Sequence, residues 1–414
     1  MKNKTKILIL GGGFGGLYTY LNLKRHFNCN DIEVTIINRT NYFLFTPMLH
    51  EVATGGLAHH QVVESIRQVI YKSKANLLVA EIELINPKDQ IVKTSKGDIE
   101  YDFLVVATGS TTNFFNTRGA EEYCLTLKDL EDAIAMREDF INTFENASTI
   151  KDRDMRKEEL SFAFIGGGPT GVELVAETAE LFLSTFSRYY KNLIDPKDVS
   201  IHLINKSPEI LAMFHPILRH KALKVLQSKG VKVIANTGVK EVTKDGVVLD
   251  NDTIIQSKHT VWTAGVCANT PKFTIDIATD TAGRIYVNPF LQMKEYINIF
   301  VMGDLAHCES VDGKPLPMLA QVAVAQGKTV AKNIKNLVAG KALVPFTYKP
   351  QGELVSLGHG QAVANIMGVR FYGRFAWFLW RTIYLFKFIS RAKKLKIAMD
   401  WTINIFYPRD ITKS

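Results

Sequence analysis

Lys6-Ile-Leu-Ile-Leu-Gly-Gly-Gly-Phe-Gly-Gly16 and Ser161-Phe-Ala-Phe-Ile-Gly-Gly-Gly-Pro-Thr-Gly171 carry the same pattern, their first glycines, Gly11 and Gly166, standing 155 residues apart. In each, an apolar run reads as a buried strand, a G-x-G-x-x-G turn follows, and an apolar-periodic stretch reads as a helix, to Phe27 in the first copy and over 172–190 in the second. Val34-Thr-Ile-Ile37 and Val199-Ser-Ile-His-Leu-Ile204 supply the next strands. Each copy is therefore a βαβ unit, and the domain-sized spacing predicts an α/β protein with two Rossmann-like dinucleotide-binding domains rather than an array of short repeats. The charged stretch 149–159 reads as the surface crossing between them.

The glycines have separate tasks. The first permits the tight turn, the second lets backbone approach a pyrophosphate, and the third lets the helix pack on the strand. The helix amino terminus then presents unpaired N–H groups and a partial positive charge to phosphate. A lone motif is also an ordinary glycine turn; two copies in the same strand-turn-helix context argue for nucleotide. Three further strands support this. Tyr101-Asp-Phe-Leu-Val-Val-Ala-Thr-Gly109 and His259-Thr-Val-Trp-Thr-Ala-Gly265 end in small residues, as crossings beneath a bound dinucleotide require. Ile297-Asn-Ile-Phe-Val-Met-Gly-Asp304 ends in an acid suited to a ribitol hydroxyl, although Asp304 also fits a plain turn.

Composition sets the outer bounds. With 46% hydrophobic and 22% charged residues over 414 positions, the chain is folded rather than disordered or fibrous. Cys29, Cys124, Cys267 and Cys308 are scattered, which excludes a disulfide scaffold, a C-x-x-C redox pair and a thiolate zinc site and suits a reducing compartment. No metal site is expected, since the adjacent His59-His60 pair shares no helix or strand face. The apolar run Ile7 to Leu10 is too short for a signal-peptide core or a span, so a cytosol-facing protein is expected. Of the formal charge of +9, residues from Arg370 onward carry +8, with ten Lys/Arg against two acids, and three of the four tryptophans. A basic aromatic tail follows a nearly neutral body.

Taken in order, the first glycine motif, Ala107-Thr-Gly109, Gly166-Gly-Gly-Pro-Thr-Gly-Val-Glu173, Val261-Trp-Thr-Ala-Gly-Val266, Gly303-Asp304 and Ala320-Gln-Val-Ala-Val324 resemble the two-dinucleotide-binding-domain flavoproteins. Within them the chain is most similar to the type II NADH:quinone oxidoreductases, monotopic and non-pumping respiratory dehydrogenases, from residue 5 to about 410. The resemblance implies an FAD domain at 1–115 with 284–345, an inserted NAD(P)H domain at 116–283, and a carboxyl-terminal membrane-anchoring and quinone-site region at 346–414. It implies hydride transfer from NADH to FAD and then two electrons to membrane quinone, by a peripheral enzyme on the cytoplasmic face.

By the same resemblance Gly11, Gly13 and Gly16 would cradle the FAD pyrophosphate, Asp304 would hold the ribitol, and Thr46 and Pro47 would lie beside the isoalloxazine. Gly166, Gly168 and Gly171 would take the NADH pyrophosphate. The cofactor-binding set also takes in Phe14, Gly15, Asn38, Arg39, Ile82, Ala107, Thr108, Gly109, Pro169, Thr170, Asn205, Ala264, Gly265, Gly303, Ala320 and Gln321. Glu173 and Gln321 are the catalytic candidates; Gln321, Gln326 and Tyr384 are the quinone candidates. Glu173 also fits a blander role, a first-turn acid complementing the helix dipole, and Tyr384 fits a plain aromatic anchor.

The chain departs from the family pattern in three places. Asn38 and Asn205 stand where an acid accepts from adenosine ribose; with Lys206 and Ser207 beside the second, NADPH would be tolerated better than usual, NADH remaining favoured. The family pattern A-Q-x-A-x-Q is broken by Ala325, and Gln326, five residues from Gln321, points elsewhere on a helix. Tyr384 replaces a histidine.

The tail itself is apolar from Phe371 to Ile389 but interrupted by Arg374, Arg381 and Lys387, so a spanning helix is not expected. Arg370, Arg374, Trp377, Arg381 and Tyr384 share one side of a helical wheel; a second helix over 395–407 aligns Lys396, Asp400 and Asn404. Such helices suit an anionic lipid surface, with cations near headgroups. A homodimer interface stays open beside this, and nucleic acid is disfavoured because the body has no basic stripe. Other activities also stay open on the same fold: a soluble NAD(P)H-dependent reductase of a small iron–sulfur protein, a sulfide:quinone reductase using Cys267 and Cys308, and a non-catalytic NADH-sensing flavoprotein.

Overall fold

The computed structural model describes residues 4–28, 31–71, 73, 75–310 and 313–412; Cys29 lies outside them. The chain forms two compact units, one of residues 1–44, 63–111 and 266–349, the other of 45–62, 112–265 and 350–414.

The first unit is built on a five-stranded parallel sheet in the spatial order Ile299–Val301, Phe103–Val106, Thr5–Leu10, Ile32–Asn38, Asn76–Val79. Ile7 to Leu10 are almost wholly buried, as an inner parallel strand covered on both faces requires. The helix Phe14–His26 follows the first glycine turn. The helix Ala320–Val338 packs on it, and Gly327 makes the approach possible: a Cβ there would lie 3.0 Å from Thr19 N. An antiparallel sheet of Ile82–Asn86, Ile91–Thr94 and Gly97–Glu100 covers a core formed with Leu104, Val106, Ile299 and Leu305.

The second unit repeats the plan, with a parallel sheet ordered Cys124–Thr126, His259–Trp262, Ser161–Ile165, Ser200–Ile204, Val231–Ile234. Its glycine turn opens the helix Pro169–Glu180, which runs on as a π-helical stretch, Leu181–Phe186, and a last turn, Ser187–Tyr189. The two βαβ units and their parallel sheets match the sequence reading. The stretch 149–159 does not: it lies inside this unit, where Asp152 caps the helix Arg153–Glu159 and Arg153 and Arg156 hold Asp198. Its charges serve local pairing and capping.

The carboxyl-terminal part belongs to this second unit. An antiparallel sheet, Glu353–Ser356, Ala362–Ile366 and Val369–Tyr372, precedes the helices Gly373–Lys387 and Arg391–Phe406. Arg370 is thus in a strand, not on the expected helix face. The helices are amphipathic in the opposite sense to the charge reading. Ala376, Trp377, Trp380, Ile397 and Trp401 are buried, while Phe375, Phe378, Phe386, Leu395, Met399 and Phe406 are exposed, Phe406 by 76%. Arg381 turns inward, its guanidinium 3.7 Å from the Trp377 ring centroid and its Nη1 donating to Trp401 O at 3.1 Å. Asp400 accepts from Gln61, and Asn404 donates to Gly56 O at 2.8 Å. The expected polar stripe is therefore partly internal. Among the described residues no helix is long and apolar enough to cross a membrane.

Candidate functional site

In the first unit the nucleotide cradle is made by absence of side chains. Gly11 has φ +104°, and a Cβ on Gly16 would overlap the Gly11 carbonyl oxygen; a Cβ on Gly13 would meet nothing within 4 Å, leaving open space above the turn. The helix Phe14–His26 starts from Gly13 with no side-chain cap and no acid in its first turn, so its leading N–H groups and dipole face that space unopposed. These are the features a pyrophosphate fits. Phe14 packs edge-on against Phe43 at 5.0 Å, and Gly15 lies against Met302 and Ala107. At the sheet's carboxyl ends Ala107 is buried, Thr108 Oγ1 donates to Asn269 O at 2.8 Å, and Gly109 has φ +74°. Asp304 Oδ2 accepts from Ser110 Oγ at 2.5 Å within the turn Gly303–Leu305. Arg39 is exposed and Ile82 packs partly buried on the core.

Two expectations change in this unit. Asn38 is turned onto the glycine turn, its Oδ1 accepting from Gly12 N at 2.8 Å and its Nδ2 donating to Thr40 O at 3.0 Å. Gln326, a quinone candidate, is almost fully buried, its Oε1 accepting from Gly303 N at 2.6 Å. It braces the Gly303-Asp304 turn instead of facing a ligand. Ala320 and Gln321 form the start of the helix Ala320–Val338, half-buried, from an N-cap Leu319 that offers no side-chain acceptor.

The second unit repeats the cradle. Gly166 has φ +117° with Ala264 and Thr263 backbone within 2.8 Å of where its Cβ would stand, Gly168 is open, and the helix Pro169–Glu180 begins uncapped. Thr170 and Ala264 are exposed, and Pro169 occupies the first helical position. Gly265 lies against the Phe115 ring, which would have to swing aside for a side chain there. Asn205 copies Asn38: Oδ1 accepts from Gly167 N at 3.0 Å, and Nδ2 donates to Ser207 O and Glu209 O at 2.9 and 3.0 Å. Both amides do internal work at the place expected to read ribose.

Glu173 lies beyond the first turn of its helix, so complementing the helix dipole does not explain it. It is 7% exposed. Its Oε1 accepts from Ser356 N at 3.0 Å and Trp380 Nε1 at 3.2 Å, while Oε2 stands 3.9 Å from His50 Nδ1. Burial pushes this carboxyl up to about 8, against the lowering effect of those two donors, with Glu177 and Glu51 adding repulsion. Burial holds His50 down at about 4. At neutral pH a protonated carboxyl therefore faces a neutral imidazole. Tyr384 sits beside this group, its ring tilted against Trp380 at 5.1 Å and edge-on to Phe45 at 6.3 Å, its phenol held protonated by burial and by Glu173. Thr46 is exposed and Pro47 half-buried in the 3-10 turn Thr46–Met48, directly before the helix that carries His50.

His50, Glu51, Glu177, Ser356, Trp380 and Arg409 were not expected from the sequence. Glu177 had a signal, its four-residue spacing from Glu173, which puts both on one helix face. For the others the partners are far apart in the chain and no pattern announces them. Among the described residues no cluster of His, Cys, Asp or Glu is arranged to hold a metal ion.

Comparison with known proteins agrees with this geometry. The family model for pyridine nucleotide-disulphide oxidoreductases matches residues 5–327, and that for the NDH2 C-terminal domain matches residues 351–410. The type II NADH:quinone oxidoreductase Ndh of Mycobacterium tuberculosis is 32% identical, covering 98% of this chain and 89% of its own. The type II NADH:quinone oxidoreductase of Staphylococcus aureus is 30% identical, covering 92% and 94%. Among solved structures, NDH2 of Plasmodium falciparum in complex with NADH has the same fold, with a TM-score of 0.92 over 99% of this chain and 100% of that one at 23% identity. The sulfide:quinone oxidoreductase of Aquifex aeolicus is more distant, at 0.73 over 97% and 95% and 19% identity. With its paired cradles and with relatives matched over nearly their whole lengths, the chain belongs to the type II NADH:quinone oxidoreductase family of pyridine nucleotide-disulphide oxidoreductases.

Proposed function

We propose that the chain oxidises NADH and reduces a quinone through bound FAD, at a membrane surface it touches without crossing. The observation that carries this reading is Glu173. It lies on the helix that opens from a nucleotide-type glycine turn, and its carboxyl is sealed by Ser356 and Trp380 of the region matching the NDH2 C-terminal domain.

The turn around Gly11, Gly13 and Gly16 fits the FAD pyrophosphate; Asp304 would hold the ribitol, and by the family resemblance Thr46 and Pro47 would lie beside the ring. FAD supplies, when bound, acceptance of a hydride and release of two electrons. Gly166, Gly168 and Gly171 take the NADH pyrophosphate by the same device. In this reading 1–115 with 284–345 would hold FAD, 116–283 NADH, and 346–414 would serve membrane and quinone. Quinol formation consumes protons, and Glu173 holds one at Oε2, the oxygen not used by the two N–H donors, at a carboxyl that keeps it at neutral pH. Tyr384, whose phenol burial keeps protonated, would donate a hydrogen bond to a quinone carbonyl, and Gln321 remains the amide candidate.

The exposed phenylalanines of the last two helices enter the acyl region, and exposed Arg391 and Lys396 meet anionic headgroups. That surface would face the cytoplasm. The sulfide-linked alternative is weaker, because burial pushes the Cys308 thiol up to about 11 and leaves no ready thiolate there.

The visible spectrum of the purified protein tests the reading. A yellow flavin band should bleach with NADH and return on adding a water-soluble quinone. Colourless protein that FAD cannot reconstitute refutes it.

A further inference from the structure

Near its carboxyl end the chain sends one side chain into the interior of the second unit. Arg409 is paired with Glu177, and its Nη1 donates to Thr54 O at 3.3 Å. The pair is deeply buried, the Glu177 side chain being 4% exposed. Arg137 secures the same segment by donating to the Asp410 carbonyl at 3.1 Å.

Around this pair stand two more buried carboxyls. Glu173 is one turn back on the same helix, and Ser356 ties the two together: its N–H donates to Glu173 and its hydroxyl to Glu177 Oε1 at 3.4 Å. Glu51 comes from the helix Leu49–Ala53 and is 5% exposed. A cavity of about 30 Å³, room for one or two waters, is walled by Glu51, Glu177, Glu180, His359, Arg381 and Arg409. Glu180 is matched by Lys229 at 2.7 Å, and Arg381 is stacked on Trp377. His50 is held neutral by burial. Three buried carboxyls, Glu173, Glu177 and Glu51, therefore share one closely paired guanidinium, and an isolated buried charge is costly.

We propose that Arg409 is a positioning residue that assigns the negative charge of this cluster to Glu177 and so keeps the proton on Glu173 for the quinone step. This rests on the function proposed above. Its electrostatics are consistent: burial alone would raise Glu177, yet Arg409 holds it well below the usual carboxylate range, and the resulting Glu177 anion raises both Glu173 and Glu51. Without the guanidinium burial makes Glu177 take up a proton, and Glu173, still raised by burial but relieved of an anionic neighbour, ionises at lower pH.

The test is a pH titration of the infrared carboxylic-acid band in full-length protein, with Glu173→Gln identifying the Glu173 component. Stopped-flow pH profiles of the NADH and quinone half-reactions run alongside. In R409M the Glu173 midpoint should fall by about one pH unit or more, and flavin reoxidation by quinone should fail at correspondingly lower pH while flavin reduction by NADH keeps its profile. R409K should retain the original midpoint. If R409M does not fold, the double variant E177L/R409L, which replaces a buried pair by apolar side chains, keeps the same expectation. An unchanged Glu173 midpoint in folded R409M or E177L/R409L overturns the assignment to Arg409. A shifted infrared midpoint in a protein that never reduces quinone would instead overturn the function it was built on.

Discussion

Asn205→Asp changes one atom and should be among the more damaging substitutions in the nucleotide turn. The amide uses both ends: Oδ1 takes Gly167 N–H, and Nδ2 gives one hydrogen to Ser207 O and one to Glu209 O, at a residue 9% exposed. An acid keeps the first contact and reverses the other two, setting a carboxylate oxygen against two carbonyl oxygens. Losing two bonds at about 1 kcal/mol each and stranding two acceptors gives a cost of about 3 kcal/mol. For a unit of this size that lowers the apparent Tm by roughly 6–12 °C. The penalty has a pH signature. Protonating the new carboxyl restores one of the two lost donors, so its folded pKa lies above its unfolded value; below the unfolded value only the other missing donor counts, and the deficit grows as pH rises from there through the folded value. Asn38→Asp is the internal control. One of its Nδ2 partners is the Thr40 hydroxyl, at 3.1 Å, which can turn from Tyr42 O to donate to a carboxylate, so this change should cost less, about 2 kcal/mol. Thermal unfolding of both variants at pH 4 and pH 7 measures the contrast. Asn205→Asp melting within roughly 1 °C of the unchanged protein at pH 7, or losing less than Asn38→Asp, would refute the bracing role.

Glu173→Gln keeps the acceptor for Ser356 and Trp380 but cannot ionise. The native carboxyl, raised from 4.5 to about 8, loses stability as pH rises between those values, so the variant should gain on wild type toward pH 9 by up to about 5 kcal/mol in unfolding experiments, and should slow flavin reoxidation by quinone. Gly16→Ala drives a Cβ into the Gly11 carbonyl and should yield protein with little bound flavin, read from the ratio of visible to ultraviolet absorbance. Replacing Phe375, Phe378 and Phe406 together by Ser should abolish sedimentation with anionic liposomes while leaving the fold intact, because all three are exposed. Undiminished binding would locate the lipid contact elsewhere.

How far the sequence reaches can be seen at individual residues. The parallel sheets were legible because inner strands must be apolar on both faces and because a glycine turn commits the next residues to a helix. The divergence of Gln326 from Gln321 was legible too, since five residues turn a helix well past one revolution; that Gln326 would hold Gly303 N–H was not, because the partner lies on another element. Arg381 shows the limit most clearly. A helical wheel tells which residues share a side, not which side faces inward, and a guanidinium among tryptophans is as satisfied over an indole ring inside the protein as at a headgroup. Asn38 and Asn205 occupy the same step after two glycine turns, but both nucleotides carry an adenosine ribose, so their identity fits a ligand reader and a brace equally; only the bonds to Gly12 N and Gly167 N assign them to the turn.

The carboxyl-terminal helices join two jobs that are otherwise separable. Their inner face supplies Trp380 to Glu173 and Trp377 to Arg381, and the chain beyond them supplies Arg409 to Glu177; their outer face is phenylalanine and leucine. Removing the tail to test membrane attachment would therefore also strip two buried carboxyls, Glu173 and Glu177, of their partners, and unfolding would mimic release. Only substitutions confined to the exposed face separate the two. By the same logic, a change on the outer face that weakens lipid binding should leave the titration of Glu173 untouched, whereas Trp380→Phe, which removes a donor from Oε1 and keeps an aromatic ring, should push that carboxyl higher still without altering sedimentation. Movement of both readouts together in either variant would mean that the two faces do not act independently.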